Sequence, residues 1–366
     1  MNKPHYPGRL GIVQRVLPAY RAPFFETLAE ACQRDLALFA GQPRPEESIV
    51  TVSSLQKARF FAANNWHLFS TSSPLYACYQ GGLLNWLENW NPDALVMEAN
   101  FRYLSSRAGL AWMGKNKRPV IGWGLGAPLE RGLLSSLRRN FLARFDAMIA
   151  YSQRGASQYA DCGIAPDRIF VAPNAVTPAP KHAMPARPAN FAGQPQVLFV
   201  GRLQARKRIP ALLRACAALP AALQPHLVIV GDGPEAGSLQ ALASEVYPAA
   251  EFTGARQGAE LEPYFLAADL FVLPGTGGLA VQQAMSYGLP VIVAQGDGTQ
   301  DDLVRPANGW QIPPNDDAAL LIQLEQALLD AGRLRAMGAE SYRIVAEEIN
   351  LEKMVSVFTQ AINTVT

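Results

Sequence analysis

The chain alternates short apolar runs with longer amphipathic segments. Apolar runs bounded by turn residues are typical of buried strands, whereas apolar positions three and four apart indicate helices. In the first half this pattern predicts strands at 10–16, 36–40, 94–97, 120–123 and 147–150, and helices at 24–32, 104–113 and 133–145. Strands that alternate with helices predict an α/β fold, with a mostly parallel sheet covered on both faces.

The second half repeats this pattern. Strands are predicted at 197–200, 226–230, 250–253, 270–273 and 291–293, with helices at 209–219, 235–246, 261–268, 279–287, 320–331, 334–349 and 351–365. The stretch 178–196 is rich in Pro and Ala and carries no periodicity, which is typical of a linker. We therefore predict two doubly wound domains at 1–177 and 197–348, a linker at 178–196, and a C-terminal helix at 349–366.

The composition indicates an ordered, reduced protein. Of 366 residues, 49% are hydrophobic and 17% charged, as in a well-packed protein of about two domains. The four Cys and four His are scattered without metal spacing, so neither a disulfide framework nor a His-based metal site is expected. Because the N-terminal apolar run is too short for a signal peptide and no transmembrane run is found, we expect a cytoplasmic protein.

Charge is unevenly distributed. Residues 1–180 hold 19 Lys and Arg against 12 Asp and Glu, a balance of +7, and the remaining 13 against 18 give −5. A basic first half indicates an anionic partner such as lipid headgroups, a phosphorylated acceptor or nucleic acid. Ordinary solvated surface charge is the alternative at this point.

A glycine-rich stretch at 274–293 combines a predicted strand, a loop and a short helix. Gly275, Gly277 and Gly278 lie in the loop, where the missing Cβ allows close approach of a ligand. Free N–H groups at the start of a helix, together with its dipole, attract phosphate. The alternative is a tight turn with no ligand.

Two cations follow the first strand of the second half. Arg202 and Lys207 lie where the strand passes into its helix. Because cations at a helix start oppose the helix dipole, they need another explanation. A guanidinium beside an ammonium suits a diphosphate, so a phosphate site is favoured over a pair of solvated cations.

Four segments carry a family resemblance. They read FVGRLQARKR, VIVGDGP, EFTGARQGAELEPYFLAADLFVLPG and GLAVQQAMSYGLPVIV. These segments, with SQRGASQYADCGIAPDRIFVAPNAV before the linker, resemble the family 4 retaining glycosyltransferases. The resemblance implies the GT-B fold, in which two Rossmann-like domains face a nucleotide-sugar cleft and the C-terminal helix returns to the first domain.

The resemblance also implies roles for individual residues. Arg202 and Lys207 match the family residues that hold the donor diphosphate and stabilise the leaving group, and no metal or other cofactor is expected. Gly254 and Arg256 match the loop beside the nucleobase. The backbone of the glycine-rich loop matches the part that holds phosphate or donor sugar, here Gly275, Thr276, Gly277, Gly278 and Leu279.

One departure concerns the two glutamates that the family carries eight positions apart. Gly275 stands at the first of these positions and Gln283 at the second. An amide at Gln283 can still bind ribose hydroxyls, but Gly275 has no carboxylate to offer. The sequence instead resembles a subgroup whose loop reads Pro-Gly-x-x-Gly-Leu, in which backbone contacts replace the side chain.

The first half offers candidates for the acceptor or the donor sugar. Glu98 follows a predicted strand, with Asn100 and Arg102 beside it, and could assist proton transfer from the acceptor. A salt bridge from Glu98 to Arg102 or Arg107 is the alternative. Further candidates are Arg15 near the end of the first strand, and Trp123 with Gly124 at the end of another, although core packing is the alternative for Trp123.

Four arginines lie in and beside one predicted amphipathic helix. They are Arg131, Arg138, Arg139 and Arg144. A basic amphipathic helix can lie on an anionic membrane surface, which would bring the protein to a lipid-linked acceptor. Packing with a solvated basic face is the alternative.

Together these observations predict a glycosyltransferase. It would move a sugar from a nucleoside-diphosphate sugar to a glycan or lipid-linked saccharide with retention, at the inner face of the membrane or in the cytoplasm. Alternatives are a GT-B protein that has lost catalysis and binds only glycan or a partner, and a GT-B sugar-nucleotide epimerase. Nucleic acid is not an expected partner.

Overall fold

The computed structural model describes residues 5–47, 49–70, 73, 75–127, 133–296 and 298–366, with the side chains of 133 and 134 left out. The chain forms two compact units. The first comprises the residues up to 176 together with 351–366, and the second comprises 177–350. The stretch 178–196, which the composition predicts as a linker, therefore packs with the second unit.

The first unit is built on a seven-stranded parallel sheet in the order β3-β2-β1-β6-β7-β8-β9. A separate antiparallel hairpin is formed by β4 and β5. The strands are β1 Leu10–Val16, β2 Leu36–Gly41, β3 Arg59–Ala62, β4 Asn64–Leu68, β5 Ala77–Gly81, β6 Ala94–Glu98, β7 Val120–Gly124, β8 Ala147–Ala150 and β9 Ile169–Val171. The helices are α1 Ala22–Glu30, α2 Leu83–Trp90, α3 Ser106–Lys115, α4 Leu133–Leu142 and α5 Gln153–Asp161.

The second unit is built on a six-stranded parallel sheet in the order β12-β11-β10-β13-β14-β15. Its strands are β10 Gln196–Val200, β11 His226–Val230, β12 Glu251–Gly254, β13 Leu270–Leu273, β14 Val291–Ala294 and β15 Gly309–Ile312. Its helices are α6 Ile209–Ala218, α7 Ala236–Val246, α8 Glu262–Ala267, α9 Ala280–Ser286, α10 Asp317–Leu328 and α11 Ala331–Arg343. The last helix, α12 Leu351–Val365, belongs to the first unit.

The final helix is held to the first unit by aromatic packing. The Phe358 ring of α12 lies 4.8 Å from the Phe24 ring of α1 and 4.9 Å from the Trp123 ring of β7, measured between centroids. All three side chains are fully buried. Burial of this much apolar surface explains why the chain returns to its first unit after completing the second.

The strands match the sequence pattern most closely where every position is apolar. β13 and β14 are buried at all positions, as is usual for strands of a parallel sheet covered on both faces. The predicted helix 334–349 is helical as far as Glu348, but its α-helical part, α11, ends at Arg343 and a π-helical turn follows at Ile344–Glu348. Among the described residues, no helix has the length and apolar character needed to cross a bilayer.

Candidate active site

A buried lysine joins two loops at the carboxyl end of the second sheet. Lys207 ends the short turn Ala205–Lys207 after β10 and is only 5% exposed. Its Nζ donates to the carbonyl oxygens of Thr276 at 2.8 Å and Gly277 at 2.6 Å. Burial, aided by the charge of Arg206, lowers the pKa of Lys207 to about 8. Two of the three ammonium donors are therefore committed to the glycine-rich loop, which leaves one for a ligand.

Gly275 is the point of closest approach between these loops. A Cβ at this position would lie 2.1 Å from the Arg206 carbonyl oxygen and 2.5 Å from the Lys207 Cα. The N–H of Thr276 donates to the same Arg206 oxygen at 3.0 Å. No side chain, and so no carboxylate, fits at Gly275 without moving the backbone. The expectation that the Thr276 N–H is available to phosphate is wrong, because the Arg206 carbonyl takes it.

The rest of the loop is shaped by two more glycines. Gly277 has a φ of 65°, and a Cβ on Gly278 would lie 2.4 Å from Leu273 Cδ2. Leu279 then caps α9 without a side-chain hydrogen bond. One turn further, Gln283 is half-buried, and its amide has no hydrogen-bond partner among the described residues. The loop thus presents backbone beside Lys207, and helix α9 carries one partly exposed amide a turn later.

Two more arginines lie on the loop after β10. Arg202 is exposed and makes no hydrogen bond or ion pair within the described part of the chain. Arg206 is also exposed, and its Nη1 lies 3.2 Å from the point that a Cβ on Gly277 would occupy. The sequence prediction missed Arg206, although it stands directly before Lys207 in the segment that carried the resemblance. The loop after β10 therefore carries Arg202, Arg206 and Lys207, with no carboxylate paired to any of the three among the described residues.

The nucleobase candidates lie at the end of β12, two strands away from β10. The carbonyl oxygen of Gly254 accepts the N–H of Gly231 at 2.9 Å. Arg256 is exposed, and within the described part of the chain its side chain bonds only the Ala255 carbonyl, at 3.2 Å. Gly231 is a further residue that the prediction missed, since a Cβ there would lie 1.9 Å from the Gly201 carbonyl oxygen. The glycine that follows the strand in the run VIVGDGP could have indicated this close approach.

A pocket of about 380 Å³ lies in the first unit at the ends of β6 and β7. It brings together the five predicted residues Glu98, Asn100, Arg102, Trp123 and Gly124. Its other lining residues are Ala99, Phe101, Tyr103, Leu125, Gly126, Ala127, Arg138 and Tyr151. A carboxyl group, an amide and two guanidinium groups thus meet aromatic side chains, a lining typical of a site for a polar ligand.

Glu98 is the titratable centre of this pocket. Its Oε2 accepts the main-chain N–H of Arg15 at 2.8 Å. Burial raises the pKa of Glu98 to about 7, although that hydrogen bond and the charges of Arg15 and Arg21 act in the opposite direction. Among the described residues, no salt bridge joins Glu98 to Arg102 or Arg107, and its recorded partner is the Arg15 main chain. A carboxyl group with a pKa near neutrality can both accept and release a proton at physiological pH.

Two predicted ligand contacts, those of the Trp123 ring and the Arg15 guanidinium, are contradicted by the residues packed around them. Trp123 is 1% exposed, and its ring packs against Phe24, Phe25, Phe358 and Tyr151, so it belongs to the core and offers no open face. The Arg15 guanidinium is engaged with both carboxylate oxygens of Glu47, at 2.7 and 2.8 Å. Arg15 acts on the site through its main-chain N–H instead.

Gly124 and Arg21 complete the surroundings of the pocket. A Cβ on Gly124 would lie 2.7 Å from the Tyr159 hydroxyl oxygen, so the position requires glycine. The guanidinium of Arg21 is buried over the Trp123 ring at 5.3 Å and the Tyr151 ring at 5.4 Å. The sequence prediction missed Arg21, because nothing in its local pattern distinguishes a buried arginine from a solvated one.

The arginines of the predicted basic helix lie partly at this pocket and partly on the surface. The Arg138 guanidinium lies 5.1 Å from the Phe101 ring centroid and lines the pocket, whereas Arg139 and Arg144 are exposed. Arg131 lies outside the described residues. The membrane contact stays a prediction. The described residues also contain no group of three His, Cys, Asp or Glu side chains placed to hold a metal ion.

Two family models match this chain, one over each half. Residues 35–180 match the family model described as Glycosyltransferase Family 4, and residues 181–344 match that described as Glycosyl transferases group 1. The chain superimposes on the apo lipopolysaccharide outer core galactosyltransferase WaaB with a TM-score of 0.70 and 15% identity, over 97% of this chain and 99% of that one. The fold is GT-B.

A second solved structure and a curated relative are also similar to this chain. Anabaena HepE in complex with UDP gives a TM-score of 0.69 at 15% identity, over 97% of this chain and 99% of that one. A GDP-mannose-dependent alpha-mannosyltransferase of Corynebacterium glutamicum is 37% identical over 153 residues. This match spans 41% of this chain and 35% of the relative's length.

Proposed function

We propose that the protein is a glycosyltransferase that uses a nucleoside-diphosphate sugar. The observation that carries the proposal is the Lys207 ammonium bonded to a glycine-rich loop, with Arg206 beside that loop and Arg202 on the same segment after β10. A diphosphate carries several negative charges, and the planar guanidinium group can bind two of its oxygen atoms at once. The second unit thus provides the donor site.

The chemistry follows from where charge develops. Transfer breaks the bond between the anomeric carbon and the diphosphate oxygen and forms a bond from that carbon to an acceptor hydroxyl oxygen. The departing diphosphate gains negative charge, which Arg202, Arg206 and the remaining Lys207 donor would stabilise. Because these groups supply the positive charge, we propose a reaction without a bound metal.

The first unit would hold the acceptor in the Glu98 pocket. The acceptor hydroxyl loses its proton as the new bond forms, and Glu98 is the base that we propose for it. With a pKa of about 7, a substantial fraction of Glu98 is ionised at neutral pH. Asn100 and Arg102 would bind neighbouring sugar hydroxyls. Retention of the anomeric configuration, implied by the family resemblance, is part of the proposal.

Relatives guide the choice of donor for testing. Two of the matched relatives are named GDP-mannose-dependent alpha-mannosyltransferases, and HepE has been crystallised with UDP-glucose. The full-length chain should therefore be incubated with GDP-mannose or UDP-glucose and a panel of glycan and lipid-linked acceptors. Acceptor-dependent release of GDP or UDP is the expected result, and proton NMR of the product reports the anomeric configuration. Donor binding without acceptor-dependent release would identify a binding protein instead.

A peripheral membrane position also belongs to this proposal. Arg139 and Arg144 are exposed at one end of α4, and Leu137 beside them is 52% exposed. Exposed cations next to an exposed apolar side chain favour an anionic bilayer surface. Cosedimentation with vesicles containing phosphatidylglycerol should decrease in a double Arg139→Glu, Arg144→Glu variant. Equal cosedimentation of variant and wild type would contradict the proposed membrane contact.

A further inference from the structure

A second concavity lies at the β3 edge of the first sheet, away from the residues assigned to catalysis. Its volume is about 550 Å³, within the usual range for ligand sites. We call it the edge groove. It is lined by Phe39, Arg59, Phe61, Ala62, Asn64, Gly81, Gly82, Asn85, Trp86, Asn89 and Trp90. None of these residues lines the Glu98 pocket.

The floor of the edge groove is aromatic. The Trp86 ring stacks on Phe39 with centroids 5.2 Å apart, and the Phe61 ring lies 6.0 Å from Trp90. Trp86 and Trp90 are buried, whereas Phe61 is 37% exposed. Apolar faces are therefore present at the bottom of a groove that remains open to solvent.

An aromatic platform stands at the rim. Trp66 is 63% exposed and stacks on Tyr79 across the β4–β5 hairpin, with centroids 5.6 Å apart and planes 21° from parallel. A Cβ on the groove residue Gly81 would lie 3.9 Å from Trp66 Cη2, so the platform adjoins the groove. A large exposed aromatic face next to a concavity is unusual on a surface that has no partner.

The hairpin that carries this platform is fixed from below. The Asn65 side chain donates to the carbonyl oxygens of Arg15 at 2.7 Å and Gln42 at 3.0 Å, and its Oδ1 accepts from Gln80 Nε2 at 3.1 Å. These bonds tie the residue next to Trp66 to the main sheet. A platform held in place before binding loses little entropy when a ligand docks.

The walls provide amides but little charge. Asn64, Asn85 and Asn89 are exposed, and Asn89 Nδ2 donates to Asn85 across one helical turn at 2.8 Å. Among the described lining residues Arg59 is the only charged one, and its guanidinium is already paired with Asp35 at 3.1 Å. A lipid tail would leave these amides without water or partner, and an anion would find no unpaired cation in the lining.

We propose that the edge groove binds a neutral oligosaccharide. Sugar rings present apolar C–H faces that pack on Trp66 and Phe61, and hydroxyl groups that exchange hydrogen bonds with the carbonyl and N–H groups of asparagine amides. This site goes beyond the proposed transferase reaction and does not depend on it. It would hold a glycan chain at a place separate from the Glu98 pocket.

The test is isothermal titration of the full chain, without any donor, against mannotetraose, cellotetraose and chitotetraose. We expect at least one tetrasaccharide to bind. Trp66→Ala and Asn85→Ala should each weaken that binding at least tenfold, because both residues are exposed and their loss leaves the core intact. Leu68→Ala, on the same hairpin and 53% exposed, is the matched control and should bind like wild type.

A Glu98→Gln variant separates the two saccharide sites, since groove binding should persist in it even if transferase activity is lost. The proposal is overturned if none of the three sugars binds at 10 mM, or if Trp66→Ala and Asn85→Ala bind like wild type. It is also overturned if Glu98→Gln abolishes binding. Finally, a dimer in sedimentation velocity that dissociates in Trp66→Ala would assign this face to a second copy of the chain.

Discussion

The Nζ atom of Lys207 lies 2.6 Å from the carbonyl oxygen of Gly277. A cation of the proposed donor site therefore also holds the glycine-rich loop in place. The same atom bonds Thr276, and the side chain is almost fully buried. Replacing Lys207 therefore changes loop order and site charge together. The protonation state of Lys207 separates the two effects.

We predict that nucleotide affinity depends on pH through Lys207. Because burial lowers the pKa of this ammonium to about 8, its charge is full at pH 6.5 and largely lost at pH 9. A bound diphosphate favours the charged form, so affinity should fall as pH rises through 8. Titration calorimetry with UDP and GDP at both pH values should show this fall in wild type and a much flatter response in Lys207→Met. An equal fall in affinity in the variant would contradict the placement of Lys207 in the donor site.

Gly275→Ala should damage the donor site. Its Cβ would meet the Arg206 carbonyl and push apart the two loops that Lys207 joins. We expect a lower melting temperature and at least a tenfold loss of nucleotide affinity. Gly237→Ala is the control, because nothing lies within 4 Å of a Cβ there and alanine favours helix α7, by up to about 1 kcal/mol. Wild-type affinity in Gly275→Ala would show that the close approach is not required.

Two adjacent glutamines should give opposite results. Gln282 is 1% exposed, donates to the Ile349 carbonyl at 2.7 Å and accepts the Thr177 N–H at 3.2 Å. Gln282→Leu leaves both main-chain groups unpaired and should cost about 2 kcal/mol of unfolding free energy. Gln283→Leu should leave stability nearly unchanged but weaken nucleotide binding, because this amide is the proposed ribose contact. Urea unfolding and calorimetry on both variants provide the comparison.

Glu98 should set the acidic limb of the pH–rate profile. Its ionised form is the proposed base, so kcat/KM should rise with pH and level off above a pKa of about 7. Glu98→Gln should lower kcat at least a hundredfold and abolish this limb. The exposed Glu88→Gln is the control. An unchanged profile in Glu98→Gln would exclude Glu98 as the base.

The same residue makes a stability prediction. The folded-state pKa of Glu98 is raised, so the native state holds a proton between about pH 4.5 and 7 that the unfolded state has released. Stability from this group is therefore lost as pH rises through that window. Relative to wild type, Glu98→Gln should be more stable at pH 8, by up to about 3 kcal/mol, and nearly equal at pH 4. Urea unfolding at both pH values measures the difference.

The sequence predicted the parts of the fold in which burial alone decides. Nearly every position of β8, β11 and β13 is apolar, and these strands were predicted at or near their observed bounds. The hairpin β4–β5 was not predicted, because its exposed face carries Trp66 and Leu68 while its polar Asn65 and Gln80 point to buried partners. That inversion hides the usual alternation of apolar and polar positions.

The site was predictable where the residue type itself carries the chemistry. Lys207, Arg202 and Glu98 were identified as a cation pair and a carboxylate at strand ends. Their actual partners could not be identified, since the bond from Lys207 to Gly277 joins residues 70 positions apart. Likewise, the commitment of the Arg15 guanidinium to Glu47 follows from tertiary packing, and no local pattern reports it.

The most direct test of the donor site is nucleotide affinity in Arg202→Ala. Arg202 is exposed and unpaired within the described residues, so its removal should not disturb the fold. Calorimetry should show UDP or GDP binding at least tenfold weaker than wild type, about 1.4 kcal/mol, with no change in Arg214→Ala, an exposed control on α6. Equal affinity in Arg202→Ala and wild type would contradict the assignment of this basic loop to the donor diphosphate.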